Sequence, residues 1–311
     1  MEQHRAVYYQ TLGKCLKKNM TNYYSPLRYP GGKGKIAQFV GLLFETNLLS
    51  DGYYVEPYAG GASVGLSLLF KEYVSRIVLN DLDRSIYSFW HSALDETEAL
   101  CKMITDTKVG VENWRKYREI QKQKSQYTLL ELGFSTFYLN RINRSGIIMG
   151  GIIGGIGQTG RWKIDARFNK ANLIQRIEKI ARYKDRIAIY NMDACELIKA
   201  ITKRIPLKTL LYLDPPYYAK GKDLYVSHYK DQDHKAVAET IKSLKKCSWI
   251  VTYDNRPEIR GLYDGFRKIE YSLNYSATQP KQGSEVMIFS DNLYIPEVIN
   301  PAKLRTRAYV Y

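Results

Sequence analysis

Between residues 53 and 83 the chain passes from an apolar run through a glycine turn and a helix to a second apolar run, and that order fixes its fold class. Tyr53-Tyr54-Val55-Glu56 reads as a short buried strand that ends in Pro57-Tyr58-Ala59-Gly60-Gly61. Ala62 to Phe70 begins with small residues and runs into leucines, a helical pattern. Arg76-Ile77-Val78-Leu79 is the next strand, closing on Asn80-Asp81-Leu82-Asp83. Strand, glycine turn, helix, strand and acidic end make a βαβ unit, the building block of a doubly wound α/β sheet. A helix with one buried face precedes the unit (Ile36, Phe39, Val40, Leu43, Phe44). The same rhythm returns with a strand at Arg186 to Tyr190, a helix at Ala194 to Ile201, and an apolar strand from Leu210 to Leu213. Ser248 to Thr252, Phe266 to Tyr271 and Glu285 to Phe289 supply the remaining strands.

The rhythm is interrupted from about Ser85 to Tyr183. Helical patterns dominate there, around Trp114, Tyr117 and Ile120 and again from Leu130 to Leu139, followed by an irregular glycine-rich stretch from Gly146 to Gly160. Between Asn140 and Tyr190 stand 11 Lys/Arg against 3 Asp/Glu. The division expected is a basic arm over 1–24, a sheet domain from 25–84 and 185–295, a helical insert over 85–184, and a tail over 296–311. The whole chain carries a formal charge of +16, which favours a polyanionic partner because each neutralised phosphate releases condensed counterions.

The chemistry-bearing motif is Asp214-Pro215-Pro216-Tyr217. A buried strand delivers Asp214 to its carboxyl end, the ligand edge of an open sheet. The two prolines fix an extended turn, so an exocyclic amine can give one hydrogen to Asp214 and the other to the Pro215 carbonyl. Tyr217 then offers a ring on which a flipped base can stack. Upstream, glycines at a strand-to-helix turn let backbone approach a ligand closely, and Asp81 ends the neighbouring strand where it can accept from ribose hydroxyls. Asp83, two residues on, is suited to capping the next helix. Tyr29 and Lys33, in Arg28-Tyr29-Pro30-Gly31-Gly32-Lys33, add a ring able to shield a sulfonium and a cation to pair with a carboxylate.

The ordered set PLRYPGGK, VEPYAGGAS, LNDLD and LYLDPPYY resembles the Dam-like, alpha-group DNA adenine-N6 methyltransferases over roughly Pro26 to Phe289. The resemblance implies a Rossmann-like sheet that binds S-adenosylmethionine, with an inserted, mostly helical target-recognition domain. It implies cofactor contacts at Tyr29, Lys33, Asp81 and Asp214, with Glu56, Pro57 and Gly60 around the glycine turn and Asp193 at a later strand end. Positioning of the amine falls to Asp214, Pro215, Pro216 and Tyr217. Phe137 to Arg141 and Asn143 to Gly146 are similar to the family's entry into a DNA-facing hairpin, and Arg167-Phe168-Asn169 to its close. Arg141, Asn143, Arg144, Arg161 and Arg167 are therefore candidate DNA contacts, with Tyr225 and Tyr229 near the flipped base. The turn reads GGAS where many relatives read GAGS, and the run Gly150 to Gly157 matches no known recognition hairpin.

The expected activity is adenine-specific methylation of duplex DNA, using S-adenosylmethionine and no metal. The alternatives are methylation of RNA adenine or of a protein amide, or a DNA-binding relative without catalysis. Four scattered cysteines without a CxxC pair argue against zinc and against a disulfide framework, and fit a reducing, cytoplasmic setting. The basic N-terminus lacks the apolar core of a secretory leader. Ile147 to Ile156, broken by glycines, is too short to span a bilayer. A monomer is expected, with a cognate restriction endonuclease as a possible companion.

Overall fold

The computed structural model describes residues 24–28, 33–218, 229–275 and 281–304. Its centre is a seven-stranded mixed sheet. The strands are β1 (Gly52–Glu56), β2 (Val74–Asn80), β3 (Ile187–Tyr190), β4 (Thr209–Leu213), β5 (Ser248–Asp254), β6 (Lys268–Tyr275) and β7 (Lys281–Phe289). Their spatial order is β3-β2-β1-β4-β5-β7-β6. The first five are parallel, and β7 runs antiparallel between β5 and β6. The order reverses between β1 and β4, the switch point at which open α/β sheets bind ligands. The fold is thus Rossmann-like α/β, as the strand rhythm requires.

Side chains leave a strand alternately to its two faces, and the apolar core divides accordingly. Tyr54, Ile77, Leu79, Leu210, Tyr212, Ile250, Met287 and Phe289 face one layer, where they meet α1 (Ala37–Thr46), α2 (Ser63–Phe70) and α3 (Arg84–Asp95). Val55, Val78, Leu211, Leu213, Val251 and Ile288 face the other, covered by α8 (Ala194–Ile201), α9 (Asp231–Lys242) and α10 (Pro257–Leu262). Being buried throughout, the central parallel strands β4 and β5 read as near-continuous apolar runs, which is why they were visible in the sequence.

Between β2 and β3 lie α3, α4 (Thr97–Asp106), α5 (Val111–Lys122), α6 (Leu129–Ile142) and α7 (Lys170–Ala181), with the turn-rich stretch from Asn143 to Phe168 between the last two. Asp83 caps α3 as its position suggested, accepting from Ser85 N at 3.0 Å. Thr128 and Glu131 form a capping box at the start of α6, two orphan N–H groups satisfied reciprocally. The aromatic side chains of Phe89, Phe134, Phe137 and Tyr138 in these helices belong to the same apolar cluster as Leu66 and Leu79.

Helices α3 and α6 approach closely at Gly133, where a Cβ would stand 2.5 Å from the Ser88 carbonyl oxygen and 2.6 Å from Ser92 Oγ. Backbone cannot step aside as a side chain can, so Gly133→Ala should destabilise by about 1–3 kcal/mol. A melting temperature unchanged by this substitution would contradict the packing. Among the described residues no helix is long and apolar enough to cross a membrane.

Candidate active site

The carboxyl ends of β1, β2 and β4 bring Glu56, Asp81 and Asp214 to one edge. Lys33, the first residue of a 3-10 turn leading into α1, reaches across to Asp214. Its ammonium lies 3.3 Å from Asp214 Oδ1 and 2.7 Å from Glu285 Oε2, donates to Tyr217 Oη, and sits 5.0 Å from the centre of the Tyr217 ring. Glu285 Oε1 accepts from Tyr217 Oη, and Oε2 accepts from Tyr271 Oη at 2.6 Å. Asp214 Oδ1 accepts from Thr252 Oγ1 at 2.8 Å. Four strands of the sheet (β4, β5, β6 and β7) therefore converge on one buried lysine.

The electrostatics follow from burial and pairing. Burial pulls the Lys33 pKa down, but Asp214 and Glu285 more than compensate and raise it, so the side chain is an ammonium. Burial pushes Glu285 up, yet the Lys33 charge and the hydrogen bonds from Lys33, Tyr217 and Tyr271 bring it below the ordinary carboxylate value. Asp214 is raised to about 6, by burial first and Glu285 next, against the pull of Lys33 and Thr252. Glu56 is raised well above the ordinary carboxylate value, by burial first and by Asp214 next.

The glycine turn is held from two sides. Gly60 N donates to Asp81 Oδ2 at 3.0 Å, and the Gly60 carbonyl accepts from the Trp90 indole of α3 at 2.9 Å. Asn80, fully buried, donates to the Pro57 and Met192 carbonyls and accepts from Met192 N, tying the turns after β1 and β3 together. Ala62 adopts the left-handed conformation, with φ 46° and ψ 32°, at a cost of ~1–2 kcal/mol that glycine would avoid. The GGAS departure from GAGS thus falls on the strained position. Asp81 also accepts from Asp83 N at 2.9 Å, and burial lifts its pKa to about 7. A shallow depression beside it is lined by Ala59, Asn80, Asp81, Tyr87, Trp90, Ile189 and Tyr190. Asp193, the remaining acidic candidate, caps α8 by accepting from Cys195 N and Glu196 N.

This edge fits a nucleoside-type cofactor on its own geometry. Among the described residues Glu56, buried beside Asp214 and against the Gly65 backbone, has no well-formed hydrogen bond at Oε2, a cost that a bound polar group would relieve. Tyr29 and Tyr225 lie outside the described residues.

Several expected contacts are placed differently. Tyr217 is not an open platform for a base: it is 6% exposed, Lys33 lies over its ring, and its hydroxyl is engaged by Glu285. Tyr229 packs on the opposite face of the sheet, its hydroxyl 3.0 Å from that of Tyr58 and its ring against His234. Asn143 is fully buried. Its Oδ1 accepts from Trp114 Nε1, and its Nδ2 donates to the Ile147 and Ile148 carbonyls; it braces the turn. Arg141 is likewise occupied, donating to the Arg167 and Pro26 carbonyls. Burial, with the charges of Arg28, Arg176 and Arg167, lowers its pKa to about 9. Arg144, Arg161 and Arg167 are exposed, and the Arg161 guanidinium stacks 5.5 Å from the Trp162 ring.

Sequence reasoning missed Glu285, Thr252, Asn80 and Trp90. A glutamate opening an apolar strand, in Glu285-Val286-Met287-Ile288, was the one available signal, since an isolated acid entering a buried strand demands a partner.

The reversed strand order at β1 and β4, with acids gathered on their carboxyl edge, defines a Rossmann-like chain built to hold a nucleoside-type ligand there. The chain belongs to the D12 class of N6 adenine-specific DNA methyltransferases, whose family model matches residues 29–277. No curated protein matches it in sequence. Among solved structures, PH1948 from Pyrococcus horikoshii is similar at 10% identity and a TM-score of 0.40, over 90% of this chain and 97% of that one. The rRNA methyltransferase aviRa from Streptomyces viridochromogenes is similar at 12% identity and a TM-score of 0.36, over 85% and 87%. An S-adenosylmethionine-dependent methyltransferase from Agrobacterium tumefaciens is similar at 8% identity and a TM-score of 0.36, over 82% and 61%.

Proposed function

We propose that the protein is a site-specific methyltransferase that transfers a methyl group from S-adenosylmethionine to the N6 amine of an adenine flipped out of duplex DNA. The observation that carries this reading is Asp214, fixed on one oxygen and reachable from outside. Among the described residues its contacts with Thr252 and Lys33 both fall on Oδ1, and the side chain keeps 21% exposure. Oδ2 is left as the acceptor for an amine hydrogen.

The cofactor, held by Asp81, Glu56 and the glycine turn, supplies an electrophilic methyl. The residues of this chain supply alignment and charge. An adenine amine is a weak nucleophile because its lone pair is delocalised into the ring. A hydrogen bond to Asp214, with a second to the Pro215 carbonyl, favours a tetrahedral nitrogen. Positive charge grows on that nitrogen as the methyl moves, so a fixed carboxylate stabilises the transition state more than the ground state. Asp214 acts as an acceptor and need not be a strong base. The exposed Arg144, Arg161 and Arg167 on the basic stretch after α6 are the candidates for phosphate or base-edge contacts, and residues 85–184 serve as the recognition segment.

Protonation of Asp214 removes its acceptor oxygen, so kcat/KM should fall as pH drops through about 6, the value to which its carboxyl is raised. The stability sign is opposite. A carboxyl raised on folding holds its proton more tightly in the folded state, so this group favours folding as pH falls from 6 towards its unfolded value. A pH–rate profile paired with melting curves separates the two effects, and flat kcat/KM between pH 7.5 and 5.5 would refute the assignment. The substrate is settled by offering labelled cofactor to duplex DNA, RNA and protein in parallel. N6-methyladenine is expected in DNA, and incorporation into RNA alone would overturn the reading.

A further inference from the structure

Residues 25–28 precede Lys33 by only a few positions, and both ends of the basic stretch from Arg144 to Arg167 are seated on them. At the opening of that stretch, Arg28 lends its backbone to Asn140 of α6. Arg28 N donates to Asn140 Oδ1 at 2.7 Å, and the Arg28 carbonyl accepts from Asn140 Nδ2 at 2.6 Å. The same Nδ2 donates to the Gly146 carbonyl at 2.8 Å. The Arg28 guanidinium donates to the Asn143 carbonyl at 2.9 Å. Gly146, with φ +78°, lies so near that a Cβ there would stand 2.5 Å from the Arg28 carbonyl oxygen. At the close of the stretch, Arg141 donates through Nε to the Arg167 carbonyl at 2.8 Å and through Nη1 to the Pro26 carbonyl at 3.4 Å. Arg176 of α7 holds the far end of the segment, donating to the Ser25 carbonyl at 3.0 Å.

Asn140 is fully buried and spends its amide oxygen and both amide hydrogens on this junction. Moving Gly146 away from Arg28 would strand at least one of those groups without water. Lys33, five residues after Arg28, pairs with Asp214 and Glu285. The chain that leads to this lysine and the turns that carry Arg144 and Arg167 therefore share one joint. Positive charge is crowded there as well. Burial first, and the charge of Arg167 next, lowers the Arg28 pKa; after burial, Arg28, Arg176 and Arg167 act on Arg141 in the same sense. A phosphate at the exposed Arg167 would relieve that repulsion and tighten the contacts on residues 25–28.

We propose that residues 25–28, with Arg28 as the positioning residue, couple the two ligands of the protein, so that DNA held by the basic stretch strengthens cofactor binding. This rests on the reading of the chain as an S-adenosylmethionine-dependent DNA methyltransferase. The entropy of fixing the joint is lost when the first ligand binds, so the second binds more tightly. Such coupling is reciprocal, and the cofactor must strengthen DNA binding by the same factor, about fivefold or more.

The test is the dissociation constant of S-adenosylhomocysteine, measured by calorimetry on the full chain alone and on the chain saturated with a duplex made only of G·C pairs. That duplex supplies phosphates but no adenine, so coupling through it cannot pass by way of a target base. Wild type should bind S-adenosylhomocysteine about fivefold or more tightly with the duplex present. Arg28→Met keeps the aliphatic stem but removes the donor to the Asn143 carbonyl, and should bring the ratio of the two constants close to one. Arg28→Lys, still able to donate to a carbonyl, should keep most of the ratio. A merely structural role would weaken the ligand equally with and without DNA and leave the ratio where it was. A ratio of one in wild type, or the wild-type ratio in Arg28→Met, would overturn the proposal. Coupling seen only with an adenine-containing duplex would do the same, since the base and not the joint would carry it. Should Arg28→Met not fold, Arg176→Met decides at the other end of the segment: a smaller ratio is expected, and an unchanged one counts against the coupling. If wild type fails to bind either ligand, the underlying functional reading fails instead.

Discussion

Asp214→Ala is expected to reduce kcat for DNA methylation by at least ~10³-fold while leaving the protein folded. Removing one preorganised electrostatic contact to a developing charge typically costs ~10²–10³ in rate, and here the amine also loses its alignment with the methyl donor. The fold should tolerate the change because Lys33 keeps its shorter contact, with Glu285, and Thr252 can still bond to Tyr212 Oη at 2.9 Å. Asp214→Asn should fall between, since its amide oxygen accepts but its amide nitrogen cannot. Single-turnover rates at saturating DNA and cofactor make the comparison. Turnover within tenfold of wild type in Asp214→Ala would remove Asp214 from the chemistry.

The second large effect is expected away from the reaction. Asn143→Ala should lower stability by about 3 kcal/mol, because one buried amide satisfies the Trp114 indole and two backbone carbonyls, and each polar group stranded without water costs ~1–3 kcal/mol. The turn it supports also closes through a backbone bridge between Asn143 and Ile152, so DNA affinity should fall with it. Arg144→Ala, one residue on but exposed, should weaken DNA binding and flatten its salt dependence with an unchanged melting temperature. Calorimetric melting beside binding titrations at two salt concentrations distinguishes them. If Asn143→Ala melted like wild type yet bound DNA poorly, the residue would be a contact after all, and the bracing role would be wrong.

These two residues also show where a sequence is readable. The central strands β4 and β5 were visible because burial on both faces leaves no polar alternation to confuse, and Asp214 and Asp81 stood out as charges ending apolar runs. The position of β7 between β5 and β6 was not legible, since antiparallel order is set by packing at long range and not by any local pattern. Glu285 was lost with it. Asn143 and Arg141 were read as candidate contacts because their segment resembles the family's entry into a DNA-facing hairpin. Their burial depends on Trp114 and on the carbonyls of Pro26 and Arg167, which come together only in three dimensions. Tyr217 was assigned by motif to stack on a base, and only the structure shows its hydroxyl held by Glu285.

The apolar cluster that runs without a break from α2 through α3 into α6 has a practical consequence for altering specificity. A chimera exchanging the whole of residues 85–184 would also replace Trp90, whose indole holds the Gly60 carbonyl, and the aromatic residues that cover one face of the sheet. On the proposed reading, such a graft would exchange part of the cofactor's cradle along with the recognition segment. On that reading the interchangeable cassette is smaller: the turn-rich stretch from Arg144 to Arg167, transplanted with Asn140 and Asn143 kept as its fixed sockets.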